Sequence, residues 1–170
     1  ASDSTQWADG DSDGYGDNPS GNSPDACPSQ FGTSTEMGRL GCADTDSDGY
    51  ADIDDDFPNE ATQWVDSDGD GFGDGQEVAE LSDPNNAQLF PTRLLTITGS
   101  LDGVVEGAGI YPLGSSATIS ATANPGYVFT GWVGDVADSS NPLTIVMTDS
   151  LTIRAVFSQD TRDPDADGLT

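Results

Sequence analysis

From residue 93 onward, apolar and polar positions alternate with a period of two, and β-branched residues are frequent. Stretches 94–98, 117–122, 127–132, 143–147 and 151–157 carry the pattern most clearly. A period of two places every second side chain on one face, so each stretch predicts a strand with one face turned to a core. Turn-forming clusters separate them: Leu101-Asp102-Gly103, Asn124-Pro125-Gly126, Asn141-Pro142 and Thr148-Asp149-Ser150. Ile119, Phe129, Ile145, Ile153, Val156 and Phe157 are the expected core, and Trp132 is counted with it as its cap. Residues 1–91 show no such order. Their aliphatic and aromatic side chains are sparse, and Gly, Asp, Ser, Asn and Pro dominate. Only 76–81 suggests helix, for about one and a half turns.

Charge sharpens this division. The 170 residues hold 31 acids against four bases, for a net charge of -27, and all four bases are arginines (Arg39, Arg93, Arg154, Arg162). Residues 1–91 contain 22 acids and one base; residues 92–158 contain only five acids and two bases; residues 159–170 contain four acids and one base. Three segments are therefore expected, 1–91, 92–158 and 159–170. The balance argues against nucleic-acid binding, which needs a cationic surface for the phosphates. No run is apolar and long enough to span a bilayer. The first residues, Ala1-Ser2-Asp3-Ser4, do not read as a signal peptide. With no lysine and no histidine, Schiff-base, Ser-His and Cys-His chemistry are excluded. A composition like that of 1–91 usually means disorder, because too little apolar surface is available to offset chain entropy.

The spacing of the aspartates contradicts that reading. Asp66, Asp68, Asp70, Asp74 and Glu77 occupy positions 1, 3, 5, 9 and 12 of a twelve-residue loop, with Gly71 at position 6 and Phe72 at position 7. Acids at 1, 3 and 5 converge on one ion, position 7 supplies a backbone carbonyl, the acid at 12 can bind through both oxygens, and the glycine allows the sharp turn. So many hard oxygen donors suit Ca²⁺ better than Mg²⁺. The register recurs at Asp44, Asp46, Asp48, Gly49, Tyr50, Asp52 and Asp55, where Asp54 and Asp56 leave extra carboxylates for a second ion. It recurs again at Asp9, Asp11, Asp13, Gly14, Tyr15 and Asp17. There position 12 is Ser20, so a ligand is needed from elsewhere, Asn18 or Asp25. Asp163, Asp165 and Asp167 begin a fourth copy. Thr5-Gln6-Trp7-Ala8-Asp9 through Asp17 also aligns with Thr62-Gln63-Trp64-Val65-Asp66 through Asp74. Self-similarity of this kind indicates stacked repeats, and the chain reads as a window on a longer array.

On these residues the segment 1–91 resembles thrombospondin type 3 repeats of microbial surface proteins; the carrying motifs run from Asp44 to Asp52 and from Asp66 to Asp74. The resemblance implies rows of Ca²⁺ ions in place of a hydrophobic core, held by the aspartates already named, with carbonyls from Tyr15, Tyr50 and Phe72. It also suggests that Asp83, in the turn Asp83-Pro84-Asn85, closes a site. Residues 93–157 resemble the bacterial repeat domain related to internalin-type B repeats, through Gly126-Tyr127-Val128-Phe129-Thr130-Gly131-Trp132, the run beginning Asn141-Pro142, and the final strand ending at Phe157. This second resemblance implies a small β-sheet spacer of surface and secreted proteins and brings no catalytic residue. The fold class expected is a mostly irregular, calcium-stabilised repeat array joined to a small all-β domain, with very little helix.

Cys27 and Cys42, the only two cysteines, flank a Gly/Ser/Thr-rich stretch. A disulfide between them would close about fifteen residues and contribute roughly 3 kcal/mol, which suits an oxidising exterior; two free thiols are the alternative. Trp7 and Trp64, just before calcium loops, either stack on a partner such as a sugar or pack on a neighbouring repeat. The function expected is structural rather than enzymatic: an extracellular or cell-surface stalk, adhesin spacer or fibre segment stiffened by Ca²⁺. The alternatives are a glycan- or protein-binding adhesion module on the same scaffold and a filament subunit. The expected partners are neighbouring repeats or subunits, with glycan or surface protein in the adhesion reading.

Overall fold

The computed structural model describes residues 4–36, 38–99 and 101–161. Two compact units are present, Ala1–Phe90 and Pro91–Thr170.

The first unit is almost entirely turns and bends. Among the described residues its regular element is one helix, α1 (Asp74–Glu80), which ends where Leu81 turns left-handed at φ 62°. The expected short helix is therefore present but starts two residues earlier, inside the third aspartate loop. No helix among the described residues is long and apolar enough to cross a membrane.

The second unit is a two-sheet β fold. Its strands are β1 (Thr92–Thr98), β2 (Gly103–Glu106), β3 (Gly109–Pro112), β4 (Ser116–Ala123), β5 (Tyr127–Gly134), β6 (Leu143–Val146) and β7 (Leu151–Gln159). One sheet has the order β3-β1-β7-β5 and the other β2-β4-β6. β1 and β7, first and last in the chain, pair in parallel at the centre of the larger sheet, Leu95 opposite Leu151 and Ile97 opposite Ile153. All five expected strands form. β2 and β3 were not legible: four residues each, separated by Gly107-Ala108, they are too short to show a period.

The core is built from Leu95, Ala117, Ile119, Ala121, Trp132, Met147, Ile153 and Ala155, with Phe129, Ile145 and Phe157 packed against it. Trp132 is core as expected, and one expectation, Val156, is corrected. Trp132 lies inside the core, 1 % exposed, with its indole N–H donating to the carbonyl of Ser140 at 2.9 Å. Val156 is outside the core, because alternation along β7 turns Ile153, Ala155 and Phe157 inward and leaves Val156 on the other face. A β-bulge explains the partner strand. The register slips between Phe129 and Gly131, so Phe129 faces Phe157 and Trp132 faces Ala155. The extra residue, Thr130, lets both large rings point inward, where strict alternation would separate them. Their centroids lie 5.1 Å apart. Gly131 sits at the slip with φ 154°, and a Cβ there would lie 3.0 Å from the carbonyl oxygen of Asp138.

Candidate metal centres

The three aspartate loops of the first unit fold identically, and the reason lies in their own carboxylates. In each, the acid at position 1 accepts the N–H of position 4 on one oxygen and that of position 6 on the other: Asp9 from Ser12 and Gly14 (2.7 and 3.2 Å), Asp44 from Ser47 and Gly49 (2.7 and 3.1 Å), Asp66 from Gly69 and Gly71 (2.7 and 2.9 Å). Position 3 accepts from the N–H of position 5, and position 5 from that of position 7, so Asp13, Asp48 and Asp70 hold Tyr15, Tyr50 and Phe72 at 2.9, 2.8 and 3.0 Å. Short carboxylates bonding nearby backbone N–H groups are the ordinary device for making turns without a helix or ladder.

Two backbone positions are left-handed in every loop. The position-6 glycines Gly14, Gly49 and Gly71 have φ 101°, 105° and 93°, as the spacing requires. Position 4 is also left-handed, at Ser12 (φ 69°), Ser47 (φ 67°) and Gly69 (φ 77°). Sequence reasoning missed this second turn; the glycine at 69, aligned with two serines, was its one trace.

Each loop leaves oxygens pointing inward. Asp9, Asp11 and Asp13, then Asp44, Asp46 and Asp48, then Asp66, Asp68 and Asp70 each bring one carboxylate oxygen within 4.8 Å of the others. Buried without a hydrogen-bond partner among the described residues are Oδ2 of Asp11, Asp25, Asp46, Asp48, Asp68 and Asp70, and both oxygens of Glu77. Every one belongs to a loop acid or to one of the acids that close the loops. Orphaned buried carboxylate oxygens are costly and rare, and a cluster of them calls for a compensating cation.

Three candidate closing acids are buried close enough to the loop acids to feel their charge. Glu77, on α1, is fully buried; Asp55 is 9 % exposed and Asp25 7 %. Burial pushes all three carboxyls above the usual range. The neighbouring loop acids push the same way, Asp13, Asp11 and Asp17 on Asp25, Asp48, Asp46 and Asp56 on Asp55, and Asp70, Asp68 and Asp74 on Glu77. Asp25 is thus the candidate closing acid that the fold buries near the first loop, while Ser20 is exposed. Asn18, the other candidate, has its amide donating to Thr5 and its oxygen accepting from Ser20. Asp25 and Asp55 are also built alike, each accepting the N–H two residues on, from Cys27 and Phe57, at 2.7 Å. Both of those residues precede proline.

The acids at position 9 are not in the three grouped triads and bond within their own loops. Asp17 accepts from Gly10 N–H, Asp52 from the N–H and hydroxyl of Thr45, and Asp74 from those of Ser67, bonds that hold the Asp74 carboxyl below its usual range. They tie each loop's end to its start. The extra acids of the second loop are engaged elsewhere: Asp54 pairs with Arg39, and Asp56 accepts the N–H of Asp66. Asp83 is exposed and accepts the N–H of Asn85. Asp163, Asp165 and Asp167 lie outside the described residues.

Aromatic side chains link the loops. Trp64 stacks on Tyr50 with ring centroids 5.0 Å apart and planes 8° from parallel, and Phe90 stacks on Phe72 at 6.1 Å. Trp64 therefore packs on the preceding loop, whereas Trp7 is 76 % exposed. Gln6 and Gln63 hold the repeat seen in sequence: Gln6 Oε1 accepts from Asn18 N–H (3.1 Å) and Gln63 Oε1 from Gly73 N–H (2.6 Å). Cys27 and Cys42 form a disulfide, with Cα atoms 5.1 Å apart, within the usual range.

No curated protein and no solved structure matches the chain. Residues 93–161, which carry all but the first residue of the seven strands, match the family model of the divergent InlB B-repeat domain, which supports a bacterial repeat domain in the second unit.

Proposed function

We propose that the first unit is a three-site Ca²⁺-binding repeat array of the thrombospondin type 3 kind, and that the chain is a non-catalytic structural module of an extracellular or cell-surface protein. The observation that carries this reading is the set of buried, partnerless carboxylate oxygens, each in a loop acid or its closing acid. The donor set fits a hard cation. Asp9, Asp11, Asp13 and Asp25 would hold the first ion; Asp44, Asp46, Asp48 and Asp55 the second; Asp66, Asp68, Asp70 and Glu77 the third. Carboxylates in that number favour calcium over the tighter, more hydrated octahedron of magnesium. The ion would supply the positive charge that lets these acids stay ionised while buried, so its binding free energy becomes folding free energy. Acids that ligate a cation are held ionised and cannot easily donate a proton, which speaks against a hydrolase. The disulfide suits an oxidising compartment, and the InlB-type repeat domain suits a surface protein.

Calorimetric titration of the chelator-stripped chain with CaCl₂, with small-angle scattering on the same samples, tests this. Three equivalents or more bound with compaction are expected; absence of binding would reduce the first unit to an acidic linker. An adhesive role is favoured separately by Trp7, whose ring is open to a partner. Retention on a polysaccharide resin that is lost in Trp7→Ala would support it.

A further inference from the structure

We propose that the Cys27–Cys42 disulfide is a positioning element of the first cation site, so that the affinity of that site and the redox state of the cysteines are coupled in both directions. The proposal rests on the calcium reading above and concerns what controls one of its sites.

The three sites differ in how the closing acid is held. Asp55 and Glu77 follow position 1 of their loops by eleven residues, whereas Asp25 follows Asp9 by sixteen, across a Pro/Ser/Gly-rich insert. A longer, softer connection places its end less well. Asp25 N–H donates to the Gly16 carbonyl of the first loop at 2.8 Å, and the cystine adds the ties that aim its carboxylate. On one side, Asp25 Oδ1 accepts the N–H of Cys27 at 2.7 Å. On the other, Gly41, next to Cys42, is wedged between the two acids that must converge: a Cβ there would lie 2.6 Å from Asp13 Oδ2 and 2.6 Å from Asp25 Oδ1. Asp13 Oδ2 also accepts the N–H of Gly32 at 3.3 Å, and Gly32 lies so close to the Cys42 backbone that a Cβ would come within 2.0 Å of it. Cys42 is itself fixed, 2 % exposed, its carbonyl accepting from Thr33 and Ser34 and its N–H donating to Ser34 Oγ. The segments that aim Asp13 and Asp25 at each other are therefore anchored on the two bonded cysteines. The second site begins two residues after Cys42, but its closing acid, Asp55, keeps the eleven-residue spacing and accepts the N–H of Phe57, away from the cystine.

Reduction breaks the Sγ–Sγ bond and leaves two thiols; with dithiothreitol as reductant, that molecule gives up two electrons and two protons and departs as its cyclic disulfide. Linkage requires that if the disulfide tightens calcium binding by some factor, calcium stabilises the disulfide by the same factor. A tenfold effect corresponds to about 30 mV in the two-electron potential.

The test is calorimetric Ca²⁺ titration of the full chain in three forms: oxidised, held reduced in dithiothreitol, and with Cys27→Ser and Cys42→Ser together. Three events are expected in the oxidised chain. In both disulfide-free forms, one event weakens tenfold or more while two keep their affinity, and Asp25→Asn in the oxidised chain removes that same event. Saturating Ca²⁺ also shifts the dithiothreitol equilibrium toward the disulfide by the matching factor. Three events unchanged by reduction would overturn the coupling while leaving the calcium reading intact. Loss of all three would overturn it too, by making the disulfide a support of the whole unit. An oxidised chain that binds no calcium would overturn the calcium reading itself, and the coupling with it.

Discussion

At the scale of single residues, the closing acids separate the three sites. Glu77 leaves both carboxylate oxygens unpartnered, whereas Asp25 and Asp55 each give one to a backbone N–H. The third site therefore has the richest oxygen set and should fill first. Glu77→Gln is expected to remove the tightest event in a calcium titration, and Asp25→Asn a weaker one, while Ser20→Ala leaves all events in place. Ser12 and Ser47 give a second forecast. A non-glycine residue in left-handed backbone costs roughly 1–2 kcal/mol, and glycine's extra unfolded-state entropy returns part of the gain. Ser12→Gly and Ser47→Gly should each stabilise the calcium-loaded unit by about 0.5–1 kcal/mol, read from thermal melts. The ligand register at positions 1, 3, 5 and 6 was legible in sequence because it is fixed by local spacing. Asp25 was legible only as one of two candidates, since the insert removes it from register and only its burial, with the bonds that engage Asn18, separates them.

The elements of the second unit show the same limit from another side. The five longer strands were legible because each alternates over five residues or more. β2 and β3 were not, nor was the central parallel pairing of β1 with β7, which joins segments more than fifty residues apart and leaves no local trace. Val156 was placed in the core because it sits beside Phe157, but alternation runs through Ala155, a residue too small to stand out. Trp132 is core as its size suggests, but the bulge two residues earlier that carries it inward is invisible to periodicity. Its depth makes a firm prediction: Trp132→Ala should destabilise the second unit by about 3–5 kcal/mol, measured as loss of its cooperative denaturant transition. In the first unit, Trp64→Ala should forfeit the Tyr50 stack, about 0.5–1.5 kcal/mol beyond the area lost.

For the molecule as a whole, acidity and calcium should act in opposite senses. Asp25, Asp55 and Glu77 hold their protons more tightly in the fold than in the open chain, because burial and neighbouring acids raise their pKa values. Without a cation, their contribution to stability is fully present below about pH 4, the ordinary carboxylate range, and is lost as pH rises through their folded values. Calcium binds the ionised form and reverses the slope. In chelator, the melting temperature of the first unit is expected to fall between about pH 4 and pH 7; in excess CaCl₂ it should rise over the same interval. The same slope in both solutions would count against the sites. The parallel pairing of β1 with β7 carries a different consequence. The chain enters the second unit at the start of β1 and leaves at the end of β7, which lie at opposite ends of two strands bonded side by side. Tension applied through the chain would slide these strands along each other and load their bonds in shear, all together, instead of unzipping them one by one. A single-molecule pulling experiment should find this unit yielding in one abrupt, high-force event.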